Sequence, residues 1–316
     1  MRSLSCLIRP VRRLALLVAS CAVLLVSVAA ASSVPATARP DYSAWSALLQ
    51  KYVVVVSSKG EPYDTRFDYE QLYVDEGIFG RGVSSRLSAI RHAMLAVPPD
   101  QMSEKDRTAW KLNLYEFLVL EQATLHLIVP NRKYLRFDSV DEMNFSVGGF
   151  FDSPVVNLGG RDYSIAEYER RVLYADTTTE LSESRKCSGD PRWALALSRG
   201  IRGGPPVLPW AFSGDSLDAQ LDRAARIALA LPRFVKVDVA AKAIALSEYF
   251  AASRADYGGD LSGVRLVLAK LGPPAARSVA KDANGVIQPT TMPVDRKLDQ
   301  YPRPKQAAPV AEKSKS

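Results

Sequence analysis

The sequence predicts a helix-rich α+β fold in a single domain with a few short strands. Three observations carry this. Apolar residues recur at helical spacing in several segments, strand-like alternation is confined to short stretches, and no internal repeat is present. The 316 residues are 47% hydrophobic and 24% charged, values of an ordinary globular chain. Such values exclude wholesale disorder, collagen-like repeats and a polytopic membrane protein.

The elements follow in order. Residues 42–54 place Trp45, Leu48, Leu49 and Tyr52 on one helical face, and the polar run 57–62 breaks that helix. A new element starts at Phe67-Asp68-Tyr69. Residues 83–95 predict a second helix, ended by Val97-Pro98-Pro99. Ser103 reads as the cap of a long helix over 107–128, with acids in its first turn. Because that helix is apolar nearly all round, it is expected to be central and buried. Its polar residues Asn113, Tyr115, Glu116, Glu121, Gln122 and His126 then need partners.

Residues 155–163, with Gly159-Gly160 at the middle, predict a hairpin. Ser164 with Glu167 has capping-box spacing for a helix to Leu173. After a polar loop, residues 192–197 read as a short apolar strand. A Gly- and Pro-rich loop over 198–209 precedes an amphipathic helix over 216–229, and residues 235–239 alternate as a strand. Residues 244–257 and 264–271 are expected to be helical.

The ends differ from the middle. Residues 1–38 hold Arg2, Arg9, Arg12 and Arg13 and no acid, followed by a charge-free apolar run over 14–30 and small residues at Ala29–Ala31 and Ala36–Ala38. This is the pattern of a cleaved export signal. A retained anchor is the alternative at the short limit of a membrane span. Cys21 gives a weak lipoprotein reading, because the residues after it stay apolar, and Arg12-Arg13 hints at twin-arginine export. Residues 288–316, rich in Pro and Lys, read as a disordered tail. The expected organisation is therefore a signal over 1–38, a domain over 39–287 and a tail over 288–316.

The formal charge of +7 is terminal, and residues 39–288 sum to zero. The folded part thus lacks the basic footprint of a nucleic-acid binder. After removal of the signal Cys187 is the only cysteine, so no internal disulfide is expected. With two histidines, His92 and His126, and no Cys-x-x-Cys, neither a metal site nor a cofactor is expected.

Several stretches resemble the domain-of-unknown-function family 547, a family of bacterial exported proteins and eukaryotic relatives. Trp45 to Tyr69 is similar to its opening Trp…Leu…Tyr-Val helix and Val-Asp-Tyr. Residues 109–116 resemble its Ala-Phe-Trp-Ile-Asn-Ala-Tyr-Asn helix, and residues 164–173 its Ser-Leu-Asp-Asp-Ile-Glu-His element. Residues 192–208 resemble its His-Phe-Ala-Leu-Val-Cys…Cys-Pro-Pro-Leu strand and loop, and 246–257 its late Leu-Ser…Asp-Phe segment. The resemblance covers about residues 42–271.

The departures from the family pattern bear on chemistry. Asn113, Tyr115 and Glu169 are kept. The second Asn is Glu116, the two His positions are Arg170 and Arg192, and the strand Cys falls on Leu197. A Cys with His and Asn or Glu would supply nucleophile, base and orienter. Leucine has no nucleophilic atom, and arginine stays protonated. The resemblance therefore implies a pocket of Asn113, Tyr115, Glu116, Glu169, Arg170 and Arg192 with no catalytic residue assigned.

Glu116 and Glu169 are expected to pair with Arg170 or Arg192 in a balanced network, the alternative being acid–base work by the two carboxylates. Arg199 and Arg202, flanked by glycines, are a candidate anion clamp. Ser198 and Ser247 sit in no nucleophile elbow, and Cys187 lies in a polar loop. The expected function is a non-catalytic binding or interaction domain of the cell envelope, periplasmic or secreted. Its expected partner is an envelope protein or a small molecule, with membrane contact only through an uncleaved signal or a lipid anchor. The alternative is a hydrolase or transferase built on Glu116 and Glu169.

Overall fold

A computed structural model describes residues 38–78, 84–128, 136–145, 148–174, 190–252, 257 and 262–302. They belong to one compact unit, Thr37–Ser316. The predicted signal up to residue 37, Cys187 and residues 303–316 lie outside the described residues.

Helix α1 (Ser43–Tyr52) runs directly into strand β1 (Val53–Val55), which pairs antiparallel with β2 (Thr65–Phe67). Asp68 then caps α2 (Tyr69–Asp75) by accepting from the Gln71 amide. Helix α3 (Ser85–Leu95) and the long α4 (Glu104–Leu125) follow, capped by Ser84 and Ser103. Short strands β3 (Asn144–Phe145) and β4 (Gly148–Gly149) pair with each other. The predicted hairpin is present as β5 (Pro154–Leu158) and β6 (Arg161–Ser164). Gly159 and Gly160 both have positive φ (60° and 84°), as a tight hairpin turn requires. Ser164 and Glu167 form the predicted capping box on α5 (Ile165–Tyr168), which continues as a π-helical turn over Glu169–Leu173.

The C-terminal half contains α6 (Leu217–Ala230) and the three-stranded sheet of β7 (Val235–Asp238), β8 (Ala243–Ser247) and β9 (Val286–Met292). Helices α7 (Tyr249–Ala252), α8 (Ser262–Leu271) and α9 (Pro274–Lys281) form the crossover between the parallel strands β8 and β9.

The core has two parts. The larger surrounds α4, which is buried from Ala109 through Thr124, with α1, α2 and α3 contributing Trp45, Leu48, Tyr69, Leu72, Ile90 and Met94. Trp45 meets the Phe117 ring edge to face at 5.6 Å. Each such fully buried ring contributes about 1.5–3 kcal/mol from apolar area alone. The second part joins α6 to β7, β8, α8 and α9 through Ala225, Ala228, Phe234, Ile244, Phe250 and Leu268.

Three sequence expectations are corrected. Residues 192–197 are not a strand: Trp193–Leu195 form a 3₁₀ turn, started by the Asp190 carbonyl accepting from the Trp193 amide. Residues 244–257 begin as strand β8, because Ile244 and Leu246 are buried at a spacing of two and helix begins only at Tyr249. The tail does not begin at 288. Strand β9 pairs with β8 through Met292, and Pro289 falls where the register shifts and its missing N–H breaks no ladder bond. The chain then returns to the main core, where Leu298 and Asp299 are buried.

Candidate functional site

The α4 helix sets the geometry. Successive helical residues point about 100° apart, so neighbouring side chains reach different surroundings. Asn113 is 1% exposed and clasps the backbone of Phe212 in both directions. Its Nδ2 donates to the Phe212 carbonyl at 2.8 Å, and its Oδ1 accepts from the Phe212 amide at 2.8 Å. A side-chain amide carries both a donor and an acceptor, which is what a backbone residue without ladder partners needs.

Tyr115 faces the π-helical turn. Its hydroxyl donates to Glu169 Oε2 at 3.2 Å, and Glu169 Oε1 accepts from Arg199 Nη2 at 2.5 Å. The Arg199 guanidinium also lies 5.7 Å from the Tyr249 ring centre. Burial works against its charge, but Tyr249, Glu169 and Tyr115 raise its pKa further above the ordinary arginine value.

Glu116 is 7% exposed and faces another group of polar residues. Its Oε2 accepts from the Ser198 amide at 3.0 Å, while its Oε1 is buried with no hydrogen-bond partner among the described residues. Burial drives its carboxyl well above the usual carboxylate range, the Ser198 amide opposes this, and Asp299 adds to it. The buried Tyr69 hydroxyl, likewise without a hydrogen bond, feels the charges of both Asp299 and Glu116.

Asp299 is 1% exposed. Its Oδ1 lies 3.1 Å from Arg66 Nε, but neither carboxylate oxygen has a hydrogen bond. Asp64 accepts two bonds from Arg233 (2.7 and 2.9 Å) and two longer ones from Arg66 (3.2 Å each), while Arg66 also donates to the Thr65 carbonyl at 2.7 Å and Arg233 to the Gly204 carbonyl at 3.2 Å. Burial pushes the Asp299 carboxyl up to about 8 despite Arg66 and Arg233.

The expected pairing of Glu116 and Glu169 with Arg170 or Arg192 is therefore corrected. Glu169 takes Arg199, and Glu116 takes a backbone amide. Arg192 is drawn to α6, where it pairs with Asp218 (3.1 Å) and Asp222 (2.5 Å) as well as with its near neighbour Asp190. Arg170 is exposed, with Nε donating to the Ala166 carbonyl at 3.4 Å.

The structure thus brings Tyr115, Glu169 and Arg199 together, sets Asn113 and Glu116 against the 198–212 loop, and directs Arg170 and Arg192 elsewhere. An anion clamp of Arg199 and Arg202 is not formed, because Arg199 serves Glu169 and Arg202 Nε is buried. The candidate hydroxyls hold turns: Ser198 Oγ accepts from the Gly200 amide, and Ser247 Oγ from the Tyr249 amide. His126 Nδ1 lies 3.1 Å from the Gln122 carbonyl, and burial lowers the pKa of the ring. Among the described residues, no group of three or more His, Cys, Asp or Glu side chains is placed to hold a metal, and no helix is long and apolar enough to cross a membrane.

Sequence reasoning missed Asp299, Asp64, Arg66 and Arg233. Asp299 was hidden by the proline-rich composition around it. Tyr69 lay within a matched stretch, but its hydroxyl gave no signal.

Fold and site define an α+β domain in which a buried central helix is tied to an irregular loop by polar side chains. Residues 99–227 match the family model described as "Protein of unknown function, DUF547", and this segment is similar to that family. The match spans α4, the hairpin, the π-helical turn and the 198–212 loop, and so contains Asn113, Tyr115, Glu116, Glu169 and Arg199. Neither a curated protein nor a solved structure matches the chain.

Proposed function

We propose that this protein is a non-catalytic binding or interaction domain exported to the cell envelope. One observation carries the non-catalytic part. Where relatives are expected to hold a thiol, Leu197 is 4% exposed, and the neighbouring positions of the pattern, Asn113, Glu116 and Glu169, each have a partner within the fold. A nucleophile needs an activating base within hydrogen-bond reach, and Leu197 offers no atom to activate. The arginine-led apolar run at the N-terminus supports export. The partner is an envelope protein or a small molecule of that compartment.

A specific observation favours a second reading. Glu116 Oε1 and both Asp299 oxygens are buried without hydrogen bonds, and both carboxyls are held toward the protonated form. Such a pair suits proton transfer in a hydrolase or transferase, with Asp299 in place of the Glu169 expected from sequence. Protein purified from the envelope fraction is tested against chromogenic ester, amide and phosphoester substrates. The binding reading expects wild type and Glu116→Gln to be equally inactive. Turnover that Glu116→Gln abolishes would establish the enzyme instead.

A further inference from the structure

Another set of side chains meets where α6 joins the end of the 198–212 loop. Gln220 on α6 pins the chain there: its Nε2 donates to the Ala211 carbonyl at 2.9 Å, and its Oε1 accepts from the Ser213 amide at 2.9 Å. Together with the Asn113 clasp on Phe212, this fixes the position of Trp210. Trp210 is half-buried and packs against the main core. Arg223 follows Gln220 by three residues, on the same face of α6. Its guanidinium carbon lies 4.4 Å from the Trp210 ring centre, the shortest cation–ring contact among the described residues. Tyr63, also half-buried, is near enough for its hydroxyl to feel the charge of Arg223.

We infer that Tyr63, Trp210 and Arg223 form a docking site for an acidic peptide segment of a partner protein, with Arg223 pairing one of its Asp or Glu carboxylates. Arg223 is exposed and, among the described residues, makes no hydrogen bond or ion pair. Acids on α6 and near Tyr63 are committed elsewhere: Asp218 to Lys105 and Arg192, Asp222 to Arg192 and Arg226, and Asp64 to Arg66 and Arg233. One turn away on α6 stand Ala219, Gln220, Arg226 and Ile227, none of them an acid. A guanidinium held over an indole has lost much of its freedom, while its in-plane N–H groups stay available to a planar carboxylate. Charge complementarity therefore selects an anion. A saccharide would stack on an aromatic face, but Trp210 meets Arg223 on one side and the core on the other. The chain neighbours of the two rings, Pro62 and Pro209, offer apolar surface without side-chain donors or acceptors for hydroxyl groups. That surface suits an extended peptide. The inference rests on the binding reading for its partner. Its test is separable, because it is read at Arg223, whereas turnover would be read at Glu116.

The experiment is fluorescence anisotropy of a labelled peptide of alternating proline and glutamate, titrated with the full chain. Binding should saturate below about 1 mM and weaken as salt rises. A peptide of alternating proline and glutamine should bind at least about tenfold more weakly. Arg223→Gln should cost at least about tenfold for the glutamate peptide, and Arg223→Lys should recover only part, because an ammonium lacks the planar fork. Lys270→Gln removes one exposed charge from α8 and should leave binding unchanged. In the amide spectrum of the wild type, the Trp210 indole N–H should shift with the same titration curve. No saturable binding below that concentration, equal binding of the two peptides, wild-type affinity in Arg223→Gln, or an equal loss in Lys270→Gln would each overturn the proposal. So would equal binding of a polyuronate in place of the peptide, which would reassign the carboxylate to a glycan.

Discussion

Replacing Asn113 by leucine keeps the side chain's approximate volume while deleting the amide that clasps Phe212. Two bonds of 2.8 Å are lost, and the backbone N–H and C=O of Phe212 are left facing leucine. Each orphaned buried group costs about 1–3 kcal/mol. The added apolar burial returns about 1–2 kcal/mol, on the scale of about 0.8 kcal/mol per buried methylene. The expected net loss is about 1–4 kcal/mol, a large share of the stability of an ordinary domain. Urea denaturation followed by tryptophan fluorescence measures it: the midpoint should fall while the slope stays constant. Asn113→Asp separates polarity from shape, since it keeps the acceptor for the Phe212 amide but turns an acceptor on the Phe212 carbonyl. It should destabilise as well. A leucine variant with the wild-type midpoint would refute the reasoning, because the clasp would then contribute nothing.

Other outcomes follow from the same geometry. Arg199→Met removes the guanidinium from the buried Glu169 carboxylate and should cost about 3–5 kcal/mol, with Glu169→Gln added on top recovering part of the loss. Thermal melts of the two variants check this. Arg192→Ala should cost less, about 1–2 kcal/mol, because Asp218 is 63% exposed and Asp190 and Asp222 are each more than a quarter exposed; a loss comparable to that of Arg199→Met would contradict the assignment. Asp299 has a folded-state pKa of about 8, above its unfolded value of 3.8. Its neutral form therefore favours folding, fully at pH below the unfolded value, and that contribution is lost as pH rises toward about 8. The denaturation midpoint should fall across this window in the wild type and fall less in Asp299→Asn. Ser164→Ala should cost about 1 kcal/mol by breaking the capping box, measurable in the same denaturation assay.

Much of the fold was legible because local rules agree with the tertiary structure. Ser103 and Ser164 cap the helices their spacing predicts, Gly159-Gly160 turns a hairpin, and α4, whose apolar residues lie nearly all round, is central. The misreadings came where composition and environment disagree. Pro289 and Pro293 suggested disorder, yet one sits at a register shift and the other just past the strand, where neither disturbs the ladder. Residues 244–247 carry a pattern too short to separate strand from helix, and pairing with both β7 and β9 decides it. At the site, Asn113, Tyr115 and Glu116 of the long helix were expected to need partners, and Glu169 was expected to pair with Arg170 or Arg192. Which partners was not legible, since Arg199, Arg192 and Asp299 are all charged residues in irregular segments. Charge balance alone could not choose between Arg192 and Arg199. The choice is made by position: Arg192 begins a turn packed on α6, while Arg199 follows the Ser198 amide that Glu116 binds.

Amide exchange at Ser198 and Phe212 tests most directly whether the family's site positions here form a structural clasp. Both N–H groups are donated to buried side chains of α4, Ser198 to Glu116 and Phe212 to Asn113. Both should exchange only through global unfolding, with the same protection as the α4 backbone itself. Exchange at these two amides about a hundredfold or more faster than in α4, a gap of roughly 3 kcal/mol, would contradict that prediction: the loop would open on its own, and Glu116 would be accessible for chemistry.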